Sequence, residues 1–103
     1  MIELILLLQA DLDIQAAFER YEDFQAGRGE VFLRHLDAAL GLLRQHPEIA
    51  PVYAGPYRRM LIREFPYGIF YEVMPTRLVI AAVVDLRQNP HTIRRRLFGP
   101  EDP

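Results

Sequence analysis

The run Leu78-Val-Ile-Ala-Ala-Val-Val84 restricts the fold of this chain more than any other stretch. Every position is apolar, so both alternating side-chain sets, Leu78/Ile80/Ala82/Val84 and Val79/Ala81/Val83, require cover. A strand apolar on both faces belongs in the middle of a sheet. The residues before it supply the neighbours. Tyr57–Phe65 and Tyr67–Met74 have strand-like composition; Pro66 separates them, and Pro75–Thr76 makes a tight link to the run Arg77–Asp85. Links this short cannot carry a parallel crossover, so the three runs are expected as an antiparallel meander over about residues 57–86. In the first run, Tyr57, Arg59, Leu61, Arg63 and Phe65 form one set, and Arg58, Met60, Ile62 and Glu64 the other. Mixed charge and bulk on each face suits an outer strand.

Upstream, Ile2–Leu8 reads as a first strand whose place in the sheet is left open. Asp11 resembles a helix N-cap, with Asp13 in the first turn favourable to the helix dipole. Ile14, Ala17, Phe18, Tyr21 and Phe24 recur at helical spacing, and Gly27 is expected to end that helix. Val31, Phe32, Leu36, Ala39, Leu40 and Leu43 predict a second amphipathic helix, stopped by His46–Pro47. The two form a helical hairpin over about residues 11–46, which should cover one face of the sheet. Pro47 to Pro56 reads as a loop. After the meander, Asn89–Pro90 predicts a short C-terminal helix over about 90–98, docked by Ile93 and Leu97. The expected architecture is α+β: an N-terminal strand, an antiparallel helical hairpin, a three-stranded meander and a short C-terminal helix. The second sheet face is then left without cover, which implies a partner.

A chain of 103 residues suffices for one hydrophobic core, so a single domain over 1–103 is expected. The opening MIELILLLQA lacks the features of a signal peptide and is too short to span a bilayer, so a soluble, cytoplasmic protein without direct membrane contact is expected. There is no Cys, no Ser and no Lys, which removes thiol, serine-nucleophile and lysine chemistry. His35, His46 and His91 have no ligand spacing, and no glycine-rich phosphate loop occurs; no metal and no cofactor are expected. Charge is uneven: residues 1–53 carry nine Asp/Glu and four Arg, whereas residues 54–103 carry eight Arg and five Asp/Glu. The second half is therefore the cationic one. Arg59 and Arg63, four apart on an extended run, should share a face; Arg87 follows the central strand, and Arg94–Arg96 come soon after. If they converge, they could grip phosphate or carboxylate bidentately. The plainer reading is a solvated sheet edge paired with Glu64, Glu72 and Asp85. Tyr57, Tyr67 and Tyr71 could stack or hydrogen-bond, or be ordinary strand residues.

Three segments carry a family resemblance spanning about Ala10 to Leu97. They are ADLDIQAAFERYEDFQAGRGEVFLRHLDAALGLLRQHPEIAPV, YRRMLIREFPYGIFYEV and RLVIAAVVDLRQNP. The arginine pair before the FPYGIFY strand, then an AVV strand followed by Arg and Asn-Pro, is the specific part. The chain resembles the RelE/ParE superfamily of toxins from bacterial type II toxin–antitoxin modules, on the ParE-like or plasmid-stabilization branch. The resemblance implies a growth-inhibiting toxin neutralised by a cognate antitoxin whose extended segment lies along the sheet and helices. A homodimer, or a heterotetramer with the antitoxin, is open to it. It implies a target such as DNA gyrase, reached through Arg58, Arg59, Arg63, Arg87, Arg94, Arg95 and Arg96. The enzymatic alternative is a RelE-type, ribosome-dependent mRNA endonuclease; its candidates are Arg59, Arg63, Tyr71, Asp85, Arg87 and His91, with Tyr67 as a further proton carrier. A third reading is an inactive homologue kept for antitoxin binding and autoregulation. Where ParE-like relatives show a His-Gly-Arg-Arg-like segment, this chain has Asp85, Leu86, Arg87 and Gln88, which adds a negative charge beside the rim.

Overall fold

A computed structural model describes residues 2–100. The expected domain of 1–103 also takes in residues 1 and 101–103, which lie outside the described ones. The elements run β1 (Glu3–Leu6), α1 (Leu8–Phe24), α2 (Arg28–Gln45), β2 (Val52–Ala54), β3 (Tyr57–Leu61), β4 (Tyr67–Val73), β5 (Arg77–Asp85) and α3 (Pro90–Phe98). The fold is α+β, as expected. One five-stranded sheet has the order β1-β5-β4-β3-β2. The meander β3-β4-β5 is antiparallel, and β5 lies inside the sheet, with β1 on its other side. That first strand pairs in parallel with β5, from Glu3 opposite Arg77 to Leu6 opposite Ile80, because the whole helical hairpin separates the two in sequence.

Two strand expectations need correction. The segment read as a loop contains β2, which pairs antiparallel with β3 across Val52–Arg58 and Ala54–Tyr57. The first meander run is therefore not the edge of the sheet. That run also stops at Leu61. Residues 62–66 turn, with the Phe65 N–H donating to the Ile62 carbonyl (3.2 Å) and Glu64 in the left-handed region at φ 68°. The turn drops Ile62 and Phe65 into the core and breaks the alternation that would have put Arg59 and Arg63 on one face.

Helix boundaries also differ. Helix α1 begins at Leu8, three residues before Asp11, because β1 leads directly into it; the Leu7 N–H donates to the Ile80 carbonyl (3.1 Å) and no side chain caps the helix. Asp11 is thus a first-turn residue and not the cap. At the hairpin bend, Gly27 does not end α1, which finishes at Phe24, but precedes α2 at φ 88°, a conformation natural to glycine. The Glu22 side chain of α1 accepts from the Gly27 N–H just before α2 (2.9 Å) and from the Gly29 N–H in its first turn (3.0 Å), and the Arg28 N–H donates to the Gln25 carbonyl (2.9 Å). Gly29 is needed there, since a Cβ would lie 2.7 Å from the Phe18 ring.

The sheet separates two apolar clusters. Beneath the hairpin, Ala17, Phe32, Leu36 and Leu43 pack on Ile62, Phe65, Tyr67, Ile69, Tyr71, Leu78, Ile80 and Val83. Its centre is aromatic. Phe32 stacks on Tyr21 at 5.6 Å and meets Phe65 and Tyr67 edge-on at 5.2 and 5.3 Å. A bulge opposite Phe70/Tyr71 gives β5 one extra residue, so Ile80 and Val83 reach the same face although their separation is odd. On the other face, α3 lays Ile93 and Leu97 over Phe70, Ala82 and Val84. This corrects the expectation of an uncovered face: the short C-terminal helix covers that part of it. Among the described residues no helix is long and apolar enough to cross a membrane.

Candidate functional site

Of the cationic residues anticipated from the sequence, only Arg87 and Arg96 meet in one cleft; the others lie apart. Arg58 turns toward the start of β2, donating to the Glu48 and Ala50 carbonyls (3.2 and 2.7 Å). Arg59 lies over the Tyr53 ring at 5.3 Å. Arg63 lines a separate cleft beside α2 with Arg34, His35 and Glu64, where the Glu64 carboxylate meets the His35 ring at 2.9 Å. On α3, Arg94 covers the Phe98 ring at 5.4 Å, Arg95 is exposed, and Arg96 turns back toward α1. The tyrosines also divide. Tyr57 donates to the Leu97 carbonyl (3.2 Å) and so ties α3 to the sheet. Tyr71 is fully buried, its hydroxyl donating to the Pro47 carbonyl (2.8 Å), and burial raises its pKa.

What does converge is a cleft of about 710 Å³ at the C-terminal end of β5, between α1 and α3. Arg87 reaches it from just past β5, Arg20 from α1 and Arg96 from α3, beside Gln88 and Tyr67. Two carboxylates organise these guanidiniums. Asp85 accepts from Arg87 Nε (3.1 Å), Arg87 Nη2 (2.8 Å) and the Arg87 backbone N–H (2.9 Å). It also accepts from Arg20 Nη1 at 3.4 Å, and the same nitrogen lies 3.4 Å from the Tyr67 hydroxyl. Asp13 accepts the Val83 N–H (3.0 Å) and both terminal nitrogens of Arg96 (2.9 and 2.8 Å). Its second role, on the backbone of β5, follows from β1 ending opposite Ile80: beyond that point no neighbouring strand supplies an acceptor on this side.

The electrostatics follow the geometry. Hydrogen bonding from Arg87 holds the Asp85 carboxyl below its usual range, against the opposing effect of burial. The Arg87 guanidinium is raised by the same bond, and Arg96 by its bond to Asp13. Tyr21, at the edge of the aromatic cluster, is raised by burial and then by Tyr67. Chemically, the cleft can hold an oxyanion through guanidinium N–H groups; Asp85, already ionised and bonded, is a poor base. Among the described residues no group of three or more His, Asp or Glu side chains is placed to hold a metal ion. His91, at the start of α3, donates its backbone N–H to the Asn89 cap (2.8 Å) and does not line the cleft.

Arg20 and Asp13 also belong to this cleft, and no sequence signal pointed either of them to it: Asp13 was expected only to favour the helix dipole. Their partners stand 47 to 83 positions away, a separation that no local pattern encodes. In the sequence, Arg20 stands only among the polar residues Glu19, Glu22 and Asp23 of an amphipathic helix.

Residues 4–90 match a family model described as ParE toxin of type II toxin-antitoxin system, parDE. Among solved structures, a chain described as "Chromosomal ParDE TA system from P. aeruginosa" superposes with a TM-score of 0.74. The two share 15% identity, and the match covers 82% of this chain and 96% of that one. At that identity the likeness speaks for the fold. No curated protein sequence matches the chain.

Proposed function

Because the chain belongs to the ParE toxin family of type II toxin–antitoxin systems, we propose that it inhibits growth by binding a protein target, with DNA gyrase the first candidate, and that a cognate antitoxin neutralises it. The supporting observation is the meeting of Arg87, Arg20 and Arg96 in one cleft, drawn from the sheet and two different helices. In this reading Arg87 leads and Arg96 borders the site. Arg58, Arg59, Arg63, Arg94 and Arg95 act at most as outlying contacts. The antitoxin has a separate surface available: exposed Leu42, Ile49 and Leu61, with Met60, line two clefts between α2 and the β2–β3 edge. An extended segment laid there would leave the arginine cleft to the target or cover it from its far end.

Arg87→Ala should abolish growth inhibition while leaving the melting temperature near that of the parent, since the side chain is largely exposed. Toxicity retained in a folded Arg87→Ala protein would remove the cleft from the proposal. The target class is read by inducing the chain alone in bacteria and following thymidine and amino-acid incorporation within minutes. Early loss of thymidine incorporation with protein synthesis intact supports gyrase. Early loss of amino-acid incorporation would favour the endonuclease instead. That enzyme would draw on Arg59, Arg63, Tyr71, Asp85, Arg87 and His91. Tyr71 is enclosed in the core and Asp85 is committed to Arg87, so neither is positioned as a proton carrier beside an open phosphate site. Soluble protein with neither loss would leave the inactive homologue.

A further inference from the structure

The cleft contains its own anion. Asp85 sits under both guanidiniums with its side chain only 16% exposed, while Arg20 and Arg87 remain 62% and 69% exposed. The Arg87 fork meets the carboxylate through two parallel N–H···O bonds of 3.1 and 2.8 Å. Arg20 adds a third, longer bond of 3.4 Å and a weak one of the same length to the Tyr67 hydroxyl, itself turned into the cleft. Asp85 is the sole ion-pair partner of either arginine among the described residues. With those three charges the local sum is one positive, and it would be two if the carboxylate were neutral.

We propose that Asp85 is an internal occupant of an oxyanion site formed by Arg20, Arg87 and Tyr67, and that the external ligand is a carboxylate side chain of a protein partner, bound by exchange with Asp85. The ligand class is read from Asp85 itself: the bidentate bond already made is that of a guanidinium to a carboxylate. The surroundings favour a single carboxylate over a nucleic-acid backbone. Tracking phosphates takes a series of available cations. Here the next guanidinium, Arg96, is paired with Asp13, and Arg94 lies over Phe98. The aromatic ring lining the cleft is Tyr67, which is 5% exposed and offers no face for a base. Ala16 and Ala17 on α1 leave room beside Arg20 for an incoming side chain. The inference rests on the protein-target reading above, but it concerns the chemistry of the site and can be tested without any toxicity.

The test is titration of the purified full chain, at low and constant ionic strength, with a triglutamate peptide and separately with a short single-stranded oligonucleotide. The parent chain should bind triglutamate weakly, and Asp85→Asn should bind it about tenfold more tightly, by removing the competing anion. Adding Arg87→Gln to Asp85→Asn should cancel the gain. In the otherwise unchanged chain, Arg20→Gln should weaken triglutamate binding severalfold; this variant keeps the test decisive where Asp85→Asn fails to fold. Unchanged or weaker binding in a folded Asp85→Asn chain would overturn the internal occupant, because Asp85 would then only hold Arg87 in place. No effect of Arg20→Gln would overturn the two-arginine site. A gain confined to the oligonucleotide would overturn the carboxylate ligand. Triglutamate exchange as expected, combined with a thymidine-independent or absent growth effect, would leave this site standing and remove only the gyrase reading.

Discussion

The two faces of the sheet are held in different ways. Beneath the hairpin lies a wide aromatic and aliphatic core in which Phe32, Leu43, Ile69, Tyr71, Leu78 and Ile80 are almost wholly enclosed. Beneath α3 there are two inserted side chains, Ile93 and Leu97, and the helix depends in addition on the Arg96–Asp13 pair, the Tyr57 hydroxyl and the Asn89 cap. A helix of nine residues has no standing of its own in water. The hairpin face therefore supplies most of the stability, and the α3 face is the adjustable one. The arginine cleft lies at the boundary: Arg20 stands on the rigid side, Arg96 on the adjustable side, and Arg87 on the strand end that both share.

The largest test of that contrast is Phe32→Ala. It removes a ring with no exposure and with three aromatic neighbours, and should cost about 3–5 kcal/mol, read as a lower urea midpoint for the whole chain. A loss well under this range would mean that the hairpin face is less dominant than its burial indicates. Leu97→Ala should cost less, about 2 kcal/mol, and its hydrogen-exchange signature should be local. Amides of α3 should lose protection while those of α2 keep theirs; equal loss in both helices would show that the two faces unfold as one unit. The smallest effect concerns Asp85. Its folded pKa lies below the unfolded carboxylate value of about 3.9, so the pair with Arg87 stabilises the fold above that pH. The contribution is then lost as pH falls through the folded value. Plotted against pH, the urea midpoint of Asp85→Asn should fall less steeply on the acid side than that of the parent. Identical acid limbs would mean that the pair contributes nothing to folding, as exposed pairs often do.

Much of this architecture was legible in residue order. The doubly apolar run 78–84 demanded an inside strand, and its short links to residues 57–74 demanded antiparallel neighbours. The helical hairpin followed from apolar spacing, and α3 from Asn89–Pro90 with Ile93 and Leu97. Errors arose where a distant group replaced a local signal. Gly27 looked like a stop because the Glu22 side chain that caps α2 could not be anticipated from position alone. Asp11 looked like a cap because the Ile80 carbonyl, on another strand, holds the chain at Leu7. Three residues, Val52–Ala54, gave too short a pattern to read as a strand until β3 supplied a ladder.

The candidate site divides along the same line. Arg87, Asp85 and Arg96 could be singled out from the sequence because charge beside a strand end and in a terminal helix is visible in one dimension. Their grouping was not, and Arg59 and Arg63 showed how spacing misleads once a chain turns at 62–66. By itself the sequence determined the α+β class, the meander and the cationic character of its second half, because periodicity and short links act over a few residues. Tertiary structure alone decided that β1 lies parallel to β5, that the helix docked by Ile93 and Leu97 lies on Phe70, Ala82 and Val84 of the second face, and that Arg20 joins Arg87 around Asp85. Those outcomes depend on groups tens of residues apart in sequence, and only the folded chain sets the distance between them.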